Sequence, residues 1–223
     1  MCRPTLRCLP VCAILLAAVS LGVAAADDKK DDEGFTLLFN GKDLTGWKTV
    51  IDPKKKDIRP QDIWSVQDGV IVCTGKANGY LYTEKSFKNY VLRYDWRYKR
   101  PDKVEDEEKF LGNSGLLVHI QGEPKLWPKC VEVQGMNRDH GKIIAVGGAK
   151  ATSKFDREAL RKARKPIGEW NTTEATIRGG NIVAKVNGRE VDAGECNLSE
   201  GQIGFQSEGA EIHFRNIKLK ELK

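Results

Sequence analysis

Apolar and polar residues alternate along much of this chain with the period of two that marks a half-buried strand. Tyr90, Leu92, Tyr94, Trp96 and Tyr98 share one face, with Val91, Arg93, Asp95 and Arg97 on the other. Trp64 to Val72 reads as two strands around an Asp68-Gly69 turn. Glu174 to Arg178, Asn181 to Val186 and Arg189 to Val191 read as a three-strand meander joined by Gly179-Gly180 and Asn187-Gly188. Such turn residues suit two-residue hairpins, whose central positions need positive φ.

Two further strands carry polar side chains on one face. In Asn113 to Ile120 the alternation puts Leu116, Val118 and Ile120 on the packed side, and Asn113, His119 and Gln121 on the other. In Cys130 to Gln134, Val131 and Val133 pack while Glu132 and Gln134 face away. The expectation is that the imidazole and the carboxylate share one open sheet surface. The last strand breaks its own parity, because Ile212 and Phe214 alternate out of phase with Ile217 and Leu219. A bulge or bend near Arg215–Asn216 is expected.

The best helix candidate is Ser153 to Lys165, with Ser153 and Asp156 resembling a capping box and Pro166 ending it. Its thin apolar face marks a decorated loop. Many short strands, glycine turns and little helix predict an all-β fold, a sandwich of two antiparallel sheets with a short helix in a loop.

The ends and the composition narrow the setting. Arg3 and Arg7, the apolar run Val11 to Ala26 and the small residues Ala24-Ala25-Ala26 predict a secretory signal over residues 1–26. The run is shorter than the roughly 20 residues a membrane span needs. A charged linker over 27–34 and one domain over 35–223 follow; about 190 residues suffice for a self-standing core. Without the signal the formal charge falls from +6 to +4, through loss of Arg3 and Arg7. The clusters Lys54-Lys55-Lys56 and Arg161 to Lys165 are balanced by Glu105 to Glu108 and lack interleaved aromatics, so nucleic acid is not an expected partner. Cys73, Cys130 and Cys196 would remain after cleavage, at spacings that match no zinc site and in a number that permits at most one internal disulfide. No ligand spacing for any metal is present, no cofactor is expected, and nothing here fixes an oligomeric state.

Several ordered motifs resemble one family. They are Phe35-Thr-Leu-Leu-Phe-Asn-Gly-Lys-Asp-Leu-Thr-Gly-Trp47, the Asp68-Gly69-Val70 turn, Asn113-Ser114-Gly115, Glu132-Val133-Gln134 and Lys165-Pro-Ile-Gly-Glu-Trp-Asn171. Gly188, Gly201-Gln-Ile-Gly-Phe-Gln206 and Phe214-Arg-Asn-Ile217 complete the pattern. Together they resemble the 3-keto-disaccharide hydrolase domain from about Phe35 to Leu222. The resemblance implies a concanavalin A-like jelly roll with a sugar-binding sheet, a carbohydrate ligand, and action on glycosides oxidised at carbon 3. It also implies export from a bacterial cell, to the periplasm or beyond. The chain departs from the family pattern at His119, Asn137 and Glu208, where many relatives carry Arg, Asp and His.

A ketone at carbon 3 acidifies the proton on carbon 2, so a base can form an enolate and expel the glycosidic oxygen; water adds afterwards. That needs one base, one acid and donors toward the enolate oxygen. The expected catalytic pair is Glu132 and His119, either of which can hold or deliver the proton. Asn113, Gln134, Arg93, Asp95, Trp127 and Gln206 are the expected substrate-binding residues, with Trp127 as a stacking platform. Asp95 and Glu208 are conditional second carboxylates for a conventional hydrolase. His140 reads as a loop residue and His213 as a strand residue near the rim. The alternatives are a non-catalytic, lectin-like carbohydrate-binding module and a conventional glycoside hydrolase, since one sandwich hosts all of these.

Overall fold

The computed structural model describes Met1, residues 33–104 and residues 106–223. The expected signal segment and most of the linker lie outside them. The described residues form fourteen strands: β1 (Thr36–Leu37), β2 (Trp47–Ile51), β3 (Trp64–Gln67), β4 (Val70–Cys73), β5 (Gly79–Phe87), β6 (Tyr90–Tyr98), β7 (Gly115–Gln121), β8 (Lys129–Gln134), β9 (Ile143–Val146), β10 (Asn171–Arg178), β11 (Asn181–Val186), β12 (Arg189–Glu195), β13 (Gly201–Ser207) and β14 (Ile212–Glu221). Two short helices accompany them, α1 (Pro60–Ile63) and α2 (Arg157–Ala163).

The strands form two antiparallel sheets. One runs β12-β11-β10-β6-β14-β4-β3, with β1 beside the far end of β14. The other runs β2-β5-β13-β7-β8-β9. The inner faces pack one continuous core. Phe205 of β13 is its node, 5.0 Å from the Tyr94 ring of β6 and 4.6 Å from that of Phe214 on β14. The alternation of Tyr90 to Tyr98 is observed in full, all five apolar positions being buried.

The hairpins follow their turn chemistry: Asp68 and Gly69, and Asn187 and Gly188, all have positive φ. The parity break in β14 is a bulge. Arg215 pairs with Asp95, but Lys218 pairs with Arg93, so one extra residue sits opposite β6. Asn216, at φ 51°, takes the left-handed turn. Ile212, Phe214, Ile217 and Leu219 therefore all reach the core.

Helix α2 begins later than expected. Asp156, not Ser153, caps it, accepting from the Ala159 N–H at 2.9 Å. Ser153 instead donates to the buried Asp192, which also accepts from the backbones of Ile143 and Lys154. Asp192 thus pins the segment before α2 to β12. His140 lies in a connection, yet it is buried and stacked on Trp96, 3.9 Å away and 11° from parallel. Its Nε2 accepts from the Thr173 hydroxyl, and burial pushes its pKa down to about 3, so it is neutral and structural. Cys73, Cys130 and Cys196 are free thiols. No described helix is long and apolar enough to cross a membrane.

Candidate active site

The outer face of the six-stranded sheet carries the site. Val131 and Val133 point into the core, so Glu132 and Gln134 project outward from β8. On β13, Ile203 and Phe205 are core residues and Gln206 faces out between them and the sheet's end. Leu117 pairs with Glu132 and Gly115 with Gln134. Phe205 pairs with Leu116, which brings Gln206 beside Gly115. Gly115 makes room for the Glu132 side chain. A Cβ there would collide with the carboxyl group of Glu132, so Glu132 lies over the glycine, toward Gln206. The hydroxyl of Ser114 fixes the strands by donating to the Gln206 carbonyl at 2.7 Å.

Beyond β13 the chain carries Glu208 to the same patch. Asn113 bridges the backbone of Glu208 and Gly209. Glu132 is pushed up to about pKa 8, first by burial and then by the charge of Glu208. Glu208 itself, half-buried, is raised by desolvation. Oε1 of Glu132, Oε1 of Gln206 and Oδ1 of Asn113 are all buried without a hydrogen-bond partner. Burial beside these acceptors favours the neutral acid, whose carboxyl O–H adds a donor to those of the two amide groups. Gln134 is partly committed, its Oε1 accepting from the Met136 N–H at 2.7 Å. Among the described residues no three His, Cys, Asp or Glu side chains gather as metal ligands.

His119 is not part of this patch. Val118 pairs with Val131, but Gln121 pairs with Lys129, so β7 holds one residue more than β8 over that stretch. The extra residue is His119, at φ 57°. The bulge turns its ring toward the other sheet, where Nε2 lies 3.0 Å from the carbonyl of Gly179 in the β10–β11 turn. It is fully buried and its pKa is lowered by desolvation. The same bulge sends Ile120 outward, against the expectation that it packs with Val118.

Arg93 and Asp95 are also elsewhere. Their strand β6 belongs to the eight-stranded sheet and its aromatic face fills the core, so both point away on the far side of the sandwich. Arg93 pairs with Glu174 at 2.9 Å and Glu33 at 2.7 Å. Asp95 accepts from Thr172 and Asn216, both at 2.7 Å. Trp127 sits half-buried in the β7–β8 loop with a left-handed backbone, φ 56°. That loop reaches the apolar part of the same outer face, where the Tyr80 hydroxyl donates to the Lys125 carbonyl. The structure thus brings together Glu132, Gln134, Gln206 and Asn113, and adds Glu208. Sequence alternation held the signal for Glu208, two residues beyond Gln206, but gave no sign that the β13–β14 connection would fold it onto Glu132.

The model of the 3-keto-alpha-glucoside-1,2-lyase-like domain matches residues 34–220. The chain belongs to this family. A member's name among curated proteins, the 3-keto-disaccharide hydrolase of Bacteroides thetaiotaomicron, accompanies 25% identity across 86% of this chain and 80% of that protein. Among solved structures, a Parabacteroides distasonis protein provisionally described as a glycosyl hydrolase covers 86% of this chain and 95% of its own, with 24% identity and a TM-score of 0.60. The carbohydrate binding module CBM66 from Bacillus subtilis (14% identity, 79% and 96% coverage, TM-score 0.54) shares the fold. So does the Bacillus licheniformis β-glucanase (11%, 82% and 96%, 0.53). Membership in the 3-keto-alpha-glucoside-1,2-lyase-like family places this jelly-roll sandwich among glycoside-hydrolase-like enzymes.

Proposed function

We propose that this chain is an exported bacterial enzyme that cleaves glycosides already oxidised at carbon 3. The observation that carries the reading is the carboxyl pair Glu132 and Glu208, held beside two amides on one sheet face, with Glu132 pushed up to about 8. At neutral pH such a pair keeps a proton on Glu132 and a charge on the more exposed Glu208. Glu208 removes the proton from carbon 2, and the electron pair moves into the carbonyl at carbon 3. The amide N–H groups of Gln206 and Asn113 face the developing enolate oxygen. The enolate collapses to a double bond between carbons 1 and 2, and Glu132 protonates the departing oxygen. Water then adds at carbon 1, giving its proton to Glu132, while Glu208 returns a proton to carbon 2. Both carboxyls end as they began. In this scheme Glu208 replaces His119 as the partner of Glu132, and serves as the base.

The test is release of a chromogenic alcohol from a glucoside and from its 3-keto derivative. Release from the keto form alone is expected, falling ~10²–10⁴-fold in Glu132→Gln and in Glu208→Gln. In heavy water, deuterium should appear at carbon 2 of the product. Because Glu132 must be protonated, the rate should fall as pH rises through about 8. Release from the unoxidised glucoside would favour a conventional hydrolase. Sugar binding without any release, unchanged in both variants, would favour a binding module, a role carried by name by the structurally similar CBM66.

A further inference from the structure

Resting on that reading, the geometry points to a leaving-group subsite, built to take an aromatic aglycone, in the cavity between the start of the 99–112 loop and the β13–β14 turn. The cavity measures about 490 Å³ and is lined by Phe110, Pro101, Gly209 and Ala210 together with four charged residues. That volume lies within the range of small-molecule sites and exceeds what one ring needs. Its lining residue Gly209 follows Glu208, and Asn113, which ends the loop, bridges both residues. A sugar seated over Glu132 and Glu208 would therefore direct its carbon 1 substituent toward this cavity.

The lining decides the chemistry of that substituent. Three of the four charged side chains, all but the exposed Asp102, are already committed. Lys99 pairs with Glu211 at 3.1 Å, and Arg100 donates to Glu107 and to the Ile167 carbonyl, both at 2.8 Å. A second sugar would find Asp102 alone of these side chains not already bonded to another described residue, so most of its hydroxyls would gain no new partner. The Phe110 ring, by contrast, is held for stacking. It meets Tyr98 edge-on at 5.2 Å, and it lies so close over Gly112 that no side chain fits there. The loop is tied from behind by Asn137, which donates to the Glu107 carbonyl at 3.1 Å.

The experiment compares equilibrium binding of phenyl and methyl glucosides, both anomers of each, which elimination cannot cleave because they carry no ketone. Wild type should bind the phenyl compound about tenfold more tightly, as expected for one aromatic contact. Phe110→Ala should erase the difference. Because Phe110 also packs on Tyr98, Ala210→Gln serves as a second variant that keeps the ring and fills the cavity, with the same expected loss. Equal affinity in wild type, or a preference that survives both variants, overturns the subsite. Failure of wild type to cleave any 3-keto-glucoside, with the phenyl preference intact, would sink the reaction scheme and leave the subsite standing.

Discussion

The outer face of the six-stranded sheet divides into two halves built on the same strands. On one side Tyr80, Tyr82, Leu117, Ile120 and Cys130 form a closed apolar cluster. On the other lie Glu132, Gln134, Gln206, Asn113 and Glu208. The border runs obliquely across the strands: on β8 it falls between Cys130 and Glu132, on β7 between Leu117 and Gly115, so Leu117 of the apolar half sits opposite Glu132. Both sides alternate with period two, apart from the register shifts of β7 and β13 on the apolar side. What differs is satisfaction. The apolar half is overlain by the β7–β8 loop, which is fastened through the Tyr80 hydroxyl to Lys125. The polar half leaves three buried oxygens without donors. Each such group costs about 1–3 kcal/mol. One half stabilises the sheet; the other holds unmet bonding capacity at the expense of stability, which is how a binding surface differs from a core.

Two substitutions on β7, two residues apart, should separate the halves. Gly115 has no positive φ, so alanine suits its backbone, but the new methyl would strike the buried Glu132 side chain from its carboxyl group to Cγ. Gly115→Ala should lower the melting temperature less than Leu117→Ala does and lower kcat/KM about 10²-fold by displacing the acid. Leu117→Ala should do the reverse. It opens a void in the apolar cluster and should cost about 2–3 kcal/mol in denaturant unfolding, with kcat/KM within a factor of about three. A Gly115→Ala protein that unfolds early but keeps full activity would contradict the division.

The fold was legible because most strands keep one parity from end to end, and because the bulge in β14 announces itself. Burying Ile212, Phe214, Ile217 and Leu219 on one side demands an extra residue, and Asn216 supplies it. The bulge in β7 makes the same one-residue shift at a left-handed non-glycine, His119, yet it was not legible. Leu116, Val118 and Ile120 look like an unbroken core register, and only an apolar patch on the outside lets Ile120 leave it. That patch draws on Tyr80 and Tyr82 of β5, which is distant in sequence. Four of the five site residues were readable, Glu132, Gln134 and Asn113 from alternation and Gln206 from the family motif. Arg93 and Asp95 were misplaced because alternation assigns a face of a strand but not the sheet to which the strand belongs.

Stability against pH gives a smaller contrast between the halves. The folded pKa of Glu132 is raised to about 8, above the ordinary value of 4.5. Below 4.5 the carboxyl is protonated in both states and contributes no difference. As pH rises from 4.5 through 8, only the unfolded state ionises, so stability is lost across that window and not regained above it. Glu132→Gln abolishes this linkage. Its melting temperature should exceed that of wild type at pH 9 and match it near pH 4; a gap that stays constant with pH would show that Glu132 is ionised in the folded protein. Leu117→Ala should lower the melting temperature by a similar amount at both pH values.

The smallest expected effect tests the fastening of the apolar half. Tyr80 is buried, its ring lies 5.4 Å from that of Tyr82, and its hydroxyl donates to Lys125 at 3.1 Å. Tyr80→Phe keeps the ring packing and removes one neutral hydrogen bond, a loss of about 0.5–1.5 kcal/mol. The Lys125 carbonyl belongs to a loop whose neighbouring residues are exposed, so water can replace the lost donor and the cost should fall at the low end. Amide hydrogen exchange should quicken over residues 122–128 and stay unchanged over residues 132–134 and 206–208. Catalysis should be untouched. Faster exchange in both segments would mean that the loop closes the whole outer face as one unit, and that the division between the halves lies in chemistry alone.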